Sequence, residues 1–228
     1  MHKIIIDPQA KERFMAMKGG REYSFPSINP EKTAHLIVDM QNGFVERGAL
    51  LEVPIAREIV GNINSISESL RRAGGLNVFF RFTTGTPGDW SVYFEQFQSV
   101  EFGRAEVASF QNGSHDHEIY ESIDVDAKDV ILDKTRFSAF TPGSSNALEV
   151  LREREIDTVI ISGTLTDCCS EATARDAMQL GFRVIFISDA NAALSDSAHN
   201  SALNSLASYY ADVRTSEDVI NMIRLGVN

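Results

Sequence analysis

The hydrophobic pattern of this chain switches between short apolar runs and stretches of helical spacing. Ala34-His-Leu-Ile-Val-Asp39 is an apolar run of strand length with β-branched residues. From Ile55 to Ala73, the residues Ile55, Ile59, Ile63, Ile66 and Leu70 recur at spacings of three and four, which predicts a helix that Gly74-Gly75 stops. Leu76–Phe82 reads as the next strand, followed by strands at Asp129–Lys134, Thr158–Ser162, Arg183–Asp189 and the short Ala211–Arg214. Helices are predicted over Ser144–Arg154, residues 168–180, Ser195–Tyr210 and Ser216–Leu225. Residues 83–118 read as irregular, although Trp90, Tyr93, Phe94, Phe97, Phe102 and Phe110 make them rich in aromatics.

Apolar strands alternating with helices specify the α/β class. The expected architecture is a three-layer α/β/α Rossmann-like sandwich around a mostly parallel six-stranded sheet. Residues 33–228 carry this alternation, and residues 1–32 precede it as an N-terminal arm. In the arm, Phe14, Met15, Met17, Tyr23 and Phe25 are scattered without period. Such an arm must cover apolar surface, either on its own domain or on a neighbouring subunit.

Composition narrows the function classes. The chain has 228 residues, 43% hydrophobic and 23% charged, which is ordinary for one large domain. A formal net charge of -11 and the lack of any basic stripe argue against nucleic acid as a partner. No apolar run approaches the ~20 residues that span a bilayer, so no membrane partner is expected. The two cysteines are adjacent, a placement that strains a disulfide, and a reducing, cytoplasmic setting is expected. Neither GxGxxG nor a Walker-type glycine loop is present, and no cofactor is expected.

In a parallel α/β sheet the site lies outside the carboxyl ends of the strands. That rule selects Asp39 after the first strand, Lys134 at the end of the third, and Cys169, with Cys168 beside it, after the fourth. An acid, an ammonium and a thiol together form a usable set. The helix start beside the thiol favours thiolate, and its N–H groups are candidate oxyanion donors. Asp39 can take the thiol proton, and Lys134 can stabilise both anions. His35 reads as a core histidine, His115 and His117 as a solvated pair in a polar loop, and His199 as a helix residue near the sheet end.

Three motifs carry a resemblance: Leu36-Ile-Val-Asp-Met-Gln-Asn-Gly-Phe44, Asp133-Lys-Thr-Arg-Phe-Ser-Ala-Phe140, and the run from Gly163 to Ala177 with Gly-x-x-Thr-x-x-Cys-x-x-x-Thr-x-Arg-x-Ala. Over about residues 33–225 the chain resembles the isochorismatase-like cysteine hydrolases, which include nicotinamidases, N-carbamoylsarcosine amidase, ureidoacrylate amidohydrolase and biuret hydrolase. The resemblance places the nucleophile six positions after Gly163 and four before Thr173, at Cys169, leaving Cys168 as a packing residue. It implies Asp39 as general base, Lys134 as its partner, a cis peptide between Thr164 and Leu165, and an oxyanion hole from the N–H groups of Leu165 and Cys169. Phe44, Gln41, Trp90 and Phe137 are the pocket candidates.

Two departures stand out: Asp167, expected to cap the helix, and Ser170, expected on its surface. Nicotinamidases carry an Asp-x-His metal pair after the second strand. Here Arg81–Trp90 contains no histidine, so no metal is expected. The implied activity is hydrolysis of a C–N bond in a small amide, carbamoyl or ureido compound through a thioester, with ammonia released. Ring opening of a cyclic imide or lactam, or a non-catalytic binding role on the same fold, are the alternatives. A homodimer or homotetramer is the implied assembly, and residues 83–118 are the candidate lid or interface.

Overall fold

The structure, a computed structural model, describes residues 1–85 and 89–227. Its helices in chain order are α1 (Pro8–Met17), α2 (Asn42–Val45), α3 (Ala56–Arg72), α4 (Val100–Ser109), α5 (Ala147–Glu153), α6 (Glu171–Gln179), α7 (Asp196–Tyr209) and α8 (Ser216–Leu225). The strands are β1 (Thr33–Val38), β2 (Leu76–Phe82), β3 (Val130–Lys134), β4 (Thr158–Thr164), β5 (Arg183–Ala192) and β6 (Asp212–Arg214). They form one sheet in the order β3-β2-β1-β4-β5-β6, and every pair is parallel. The strand order reverses between β1 and β4, which opens a crevice at their carboxyl ends.

Both faces of the sheet are covered, which is why its central strands are apolar on consecutive positions. On one face Ile37, Phe79, Ile160 and Ile185 pack under α3 and α8; on the other Leu36, Val38, Phe80, Val159 and Phe186 pack under α5, α6 and α7. The period of α3 matches the pattern: Ile59, Ile63, Ile66 and Leu70 are all buried. β4 and β5 run beyond their expected ends, with a register shift between Ile161 and Gly163. Asn191 sustains the extension by donating to the carbonyls of Ile161 and Ile187 at 2.9 and 2.7 Å.

The segment expected to be irregular is not so throughout. Val92–Phe97 is a π-helical turn, and α4 follows it, started by the Ser99 hydroxyl accepting from the Phe102 N–H at 3.1 Å. Gly103 lets the two close together, because a Cβ there would overlap the Phe94 carbonyl. Helical period is weak in α4 because it packs on an aromatic cluster rather than on the sheet. Thr86, Pro87 and Gly88 of that segment lie outside the described residues.

The N-terminal arm lies on its own subunit. Phe14 of α1 is buried beside Tyr209 of α7. The side chains of Asn200 and Asn204 accept from the N–H groups of Ile5 and Asp7 at 2.7 and 2.8 Å. Asp212 accepts from Ser24 and Phe25, both at 2.8 Å.

His35 is fully buried inside β1, between the hydroxyls of Ser67 at 3.1 Å and Ser162 at 2.7 Å. Burial lowers its pKa from 6.5 to about 3. Both states are neutral above pH 6.5; below it only the unfolded chain gains the proton, so stability falls with pH until the folded histidine titrates near 3. At pH 4 this group alone should remove on the order of 3 kcal/mol. Urea unfolding at pH 7 and pH 4, for wild type and His35→Gln, measures it. Equal pH dependence in the two proteins would refute the assignment.

Candidate active site

β1 delivers Asp39 to the crevice through an unusual backbone. Asp39 has φ 52°, in the left-handed region that non-glycine residues seldom occupy. Two bonds hold it there: its N–H donates to the Phe80 carbonyl at 3.1 Å, and Thr164 Oγ1 donates to its carbonyl at 2.9 Å. β4 comes close on the other side, where Gly163 has φ +119° and a Cβ would overlap the Val38 carbonyl. That close approach is the physical reason for glycine at this motif position.

Lys134, the last residue of β3, reaches behind β2. Its Nζ lies 2.8 Å from Asp39 Oδ2, and both side chains are fully buried. Nζ also donates to the Arg136 carbonyl at 3.1 Å and sits 5.3 Å from the Phe82 ring centroid. Neither Asp39 oxygen has a well-aligned hydrogen-bond donor. The Lys134 ammonium and the Cys169 thiol nevertheless lie close enough to hold down its proton affinity. Burial outweighs them and raises the Asp39 pKa. For Lys134 burial acts downward, but the charges of Asp39 and Cys169 prevail and raise it.

Cys169 sits in a π-helical turn, Thr166–Ser170, that leads into α6. Its thiol pKa is raised well above the ordinary value, first by the Cys168 thiol and then by burial, with Lys134 opposing. Burial and the Cys168 thiol thus work against the helix start, which favours thiolate. The site holds a thiol beside a carboxylate of raised proton affinity, which is the better acceptor for that proton. His199 braces the turn: it is buried, with Nδ1 2.8 Å from Thr166 Oγ1 and Nε2 3.0 Å from the Ser188 carbonyl.

Cys169 opens onto a cavity of about 240 Å³. Its walls include Phe44, Phe82, Tyr93, Phe137, Leu165 and Cys168. Most of this surface is apolar, as in pockets for small organic ligands.

The residues from Thr33 to Asp218 match the profile of the isochorismatase domain, spanning 33–218. The chain belongs to the isochorismatase family. It is 28% identical over 180 residues to a ureidoacrylate amidohydrolase of Klebsiella pneumoniae, covering 72% of this chain and 75% of that one. It is 30% identical over 201 residues to Nicotinamidase 3 of Arabidopsis thaliana, covering 86% and 92%. A solved cysteine hydrolase from Pseudomonas syringae pv. phaseolicola superposes with TM-score 0.77 at 29% identity, over 89% of this chain and 99% of that one.

Within this isochorismatase-family chain, the three motifs meet at one sheet edge, and the Thr164–Leu165 peptide is cis. Of the pocket candidates, Phe44 and Phe137 line the cavity. Gln41 stands behind it: its amide donates to the carbonyls of Phe82 and His117 and accepts from the Phe82 N–H at 2.7 Å. Trp90 also stands back, stacked on Tyr93 and edge-on to Phe137. Cys168 is more than packing, since it is half-buried and faces the cavity. Asp167 is exposed and makes no capping bond, whereas Ser170 is fully buried. Tyr93 and Glu106 complete the wall. Glu106 gave no signal in the sequence, because an acid in a segment that reads as irregular looks like solvated surface.

The two histidines of the polar loop are engaged separately. His115 is exposed, with Nε2 2.9 Å from Glu46, while His117 is buried, with Nε2 2.7 Å from Thr83 Oγ1. Among the described residues no three His, Cys, Asp or Glu side chains converge on a common point.

Breaking a buried ion pair from one side strands the other charge, at a cost of about 3–5 kcal/mol. Asp39→Leu and Lys134→Met should each lose about that much, while the double variant loses less than the sum by about 2 kcal/mol or more. Chemical denaturation of all four proteins closes the cycle. Additive losses would show that the two charges do not stabilise each other.

Proposed function

We propose that the chain is a cysteine-dependent amidohydrolase. It cleaves the C–N bond of a small amide, carbamoyl or ureido compound through a thioester and releases ammonia. The observation that carries this reading is the buried Asp39–Lys134 pair placed beside a cysteine that opens onto an apolar cavity. The names of the Klebsiella and Arabidopsis relatives support the same reaction class.

Asp39 takes the Cys169 proton as Sγ attacks the substrate carbonyl carbon. The developing oxyanion accepts hydrogen bonds from the N–H groups of Leu165 and Cys169. Collapse breaks the C–N bond, and Asp39 returns its proton to the departing nitrogen as ammonia. Water then attacks the thioester, giving its proton to Asp39, which passes it back to Sγ as the acid product leaves. Lys134 keeps the carboxylate in register and compensates the charge that moves between Asp39 and the thiol.

Two free cysteines suit a reducing, cytoplasmic setting, and no described helix is long and apolar enough to cross a membrane. A homodimer or homotetramer fits the apolar side chains on the outer surface near the pocket, where Phe97 is 80% exposed and Val92 and Val100 are each 52% exposed. Sedimentation of wild type should show a dimer or tetramer that Phe97→Glu weakens; a monomeric wild type would remove the assembly.

Cys169→Ala and Asp39→Ala should each lower kcat by about a thousandfold or more. An ammonia-release screen over small amides, carbamoyl compounds and ureido acids supplies the assay. Full activity in Cys169→Ala would end the reading, and a ring-opened product without ammonia would replace it with lactam or imide hydrolysis.

A further inference from the structure

The cavity wall holds an acid that the hydrolytic steps do not use. Glu106 of α4 is 1% exposed and lines the cavity with Tyr93. Its Oε2 accepts from Gln98 Nε2 at 2.6 Å. Burial raises its pKa, opposed by hydrogen bonds from Gln98 and Tyr93. Oε1 of Gln98 is a further buried acceptor and has no donor. Glu106 thus presents a carboxyl group to the cavity, and Gln98 braces it from behind the lining residues.

No lysine, arginine or histidine is among the residues lining the cavity. Three of the nearby cations are already engaged, and Arg47, near Glu52, is exposed to solvent. Lys134 is held by Asp39 at 2.8 Å. Arg57 pairs with Glu52 at 2.7 Å and donates to the Val45 carbonyl at 2.5 Å. Arg136 pairs with Asp89 at 2.8 Å. A substrate carboxylate entering here would give up its hydration, meet no cation among the lining residues, and face Glu106. An N–H donor would instead satisfy acceptors that are costly to leave unpaired.

We propose that Glu106, braced by Gln98, determines specificity: the site takes a small amide or carbamoyl compound whose far end carries an amine or ammonium, and it rejects compounds with a carboxylate there. The aromatic walls at Phe44, Tyr93 and Phe137 hold the body of the molecule between this acceptor end and Cys169. Which end reacts rests on the amidohydrolase reading, whereas the preference at Glu106 is a property of binding. A ureido acid, such as the ureidoacrylate in the name of the Klebsiella relative, falls in the rejected class.

The test is calorimetric titration of the Cys169→Ala protein with two matched pairs: para-(aminomethyl)benzamide against para-carbamoylbenzoate, and aminoethylurea against beta-ureidopropionate. The amine member of each pair should bind at least about tenfold more tightly. Glu106→Gln in the same background should cut that preference to below about threefold. The comparison with Glu106 intact decides the matter even where Glu106→Gln fails to fold. Equal affinity, tighter binding of the carboxylates, or no binding by any of the four overturns the proposal. Ammonia release by wild type from the same compounds is read separately. Amine preference without any release removes the hydrolase reading and leaves the Glu106 assignment standing; release without preference does the reverse.

Discussion

An ammonium and a carboxylate, both taken wholly out of water, set the terms for the rest of this molecule. Lys134 and Asp39 face each other at 2.8 Å at the carboxyl edge of the sheet, from strands separated by β2. Desolvating two charges costs more than most interactions in a domain return, and it is tolerated only where each charge stays beside the other. The sheet provides that. β1 and β3 flank β2 in fixed parallel register, and the left-handed turn at Asp39 aims its carboxylate along the edge. The incomplete alignment of donors on that carboxylate leaves it lone pairs with which to receive a proton.

The crevice beside the pair comes from topology rather than from any one residue. Strand order reverses between β1 and β4, so the connections leaving them diverge and expose the strand ends. Gly163 brings β4 against the Val38 carbonyl, and a π-helical turn follows and carries Cys169 to the cavity. That turn is braced from the far side. Thr166 bonds to His199, and His199 stacks on His2 of the N-terminal arm with ring centroids 4.3 Å apart. The arm thus supports the turn that carries Cys169 from outside the sheet.

The cavity walls are built from different parts of the chain than the buried ion pair. Asp39 and Lys134 come from strand ends, and Cys169 comes from the π-helical turn after β4. Part of the wall comes from Tyr93 of the π turn at Val92–Phe97 and Glu106 of α4, elements that meet where Gly103 approaches the Phe94 carbonyl. Side chains there can change without disturbing the sheet. This separation of the buried pair from variable walls is the usual arrangement where loops on a fixed scaffold carry function.

The sequence by itself determined the sheet, the order of its elements and the three residues at its edge. Each of these rests on local information: apolar runs, three-and-four spacing, and short motifs at strand ends. Helix α4 was not legible, because it packs on aromatics and has no sheet-facing stripe. Tertiary structure alone decided the rest. It took Gln41 and Trp90 out of the cavity wall, buried Ser170, exposed Asp167 and turned Cys168 inward. It also set burial against the helix start at Cys169. A helix start favours thiolate, but burial and a neighbouring thiol favour the proton, and desolvation is a property of everything packed around a group. For the same reason Glu106, unremarkable along the chain, becomes an acid inside a pocket: its environment is made by residues distant in sequence that only the fold brings together.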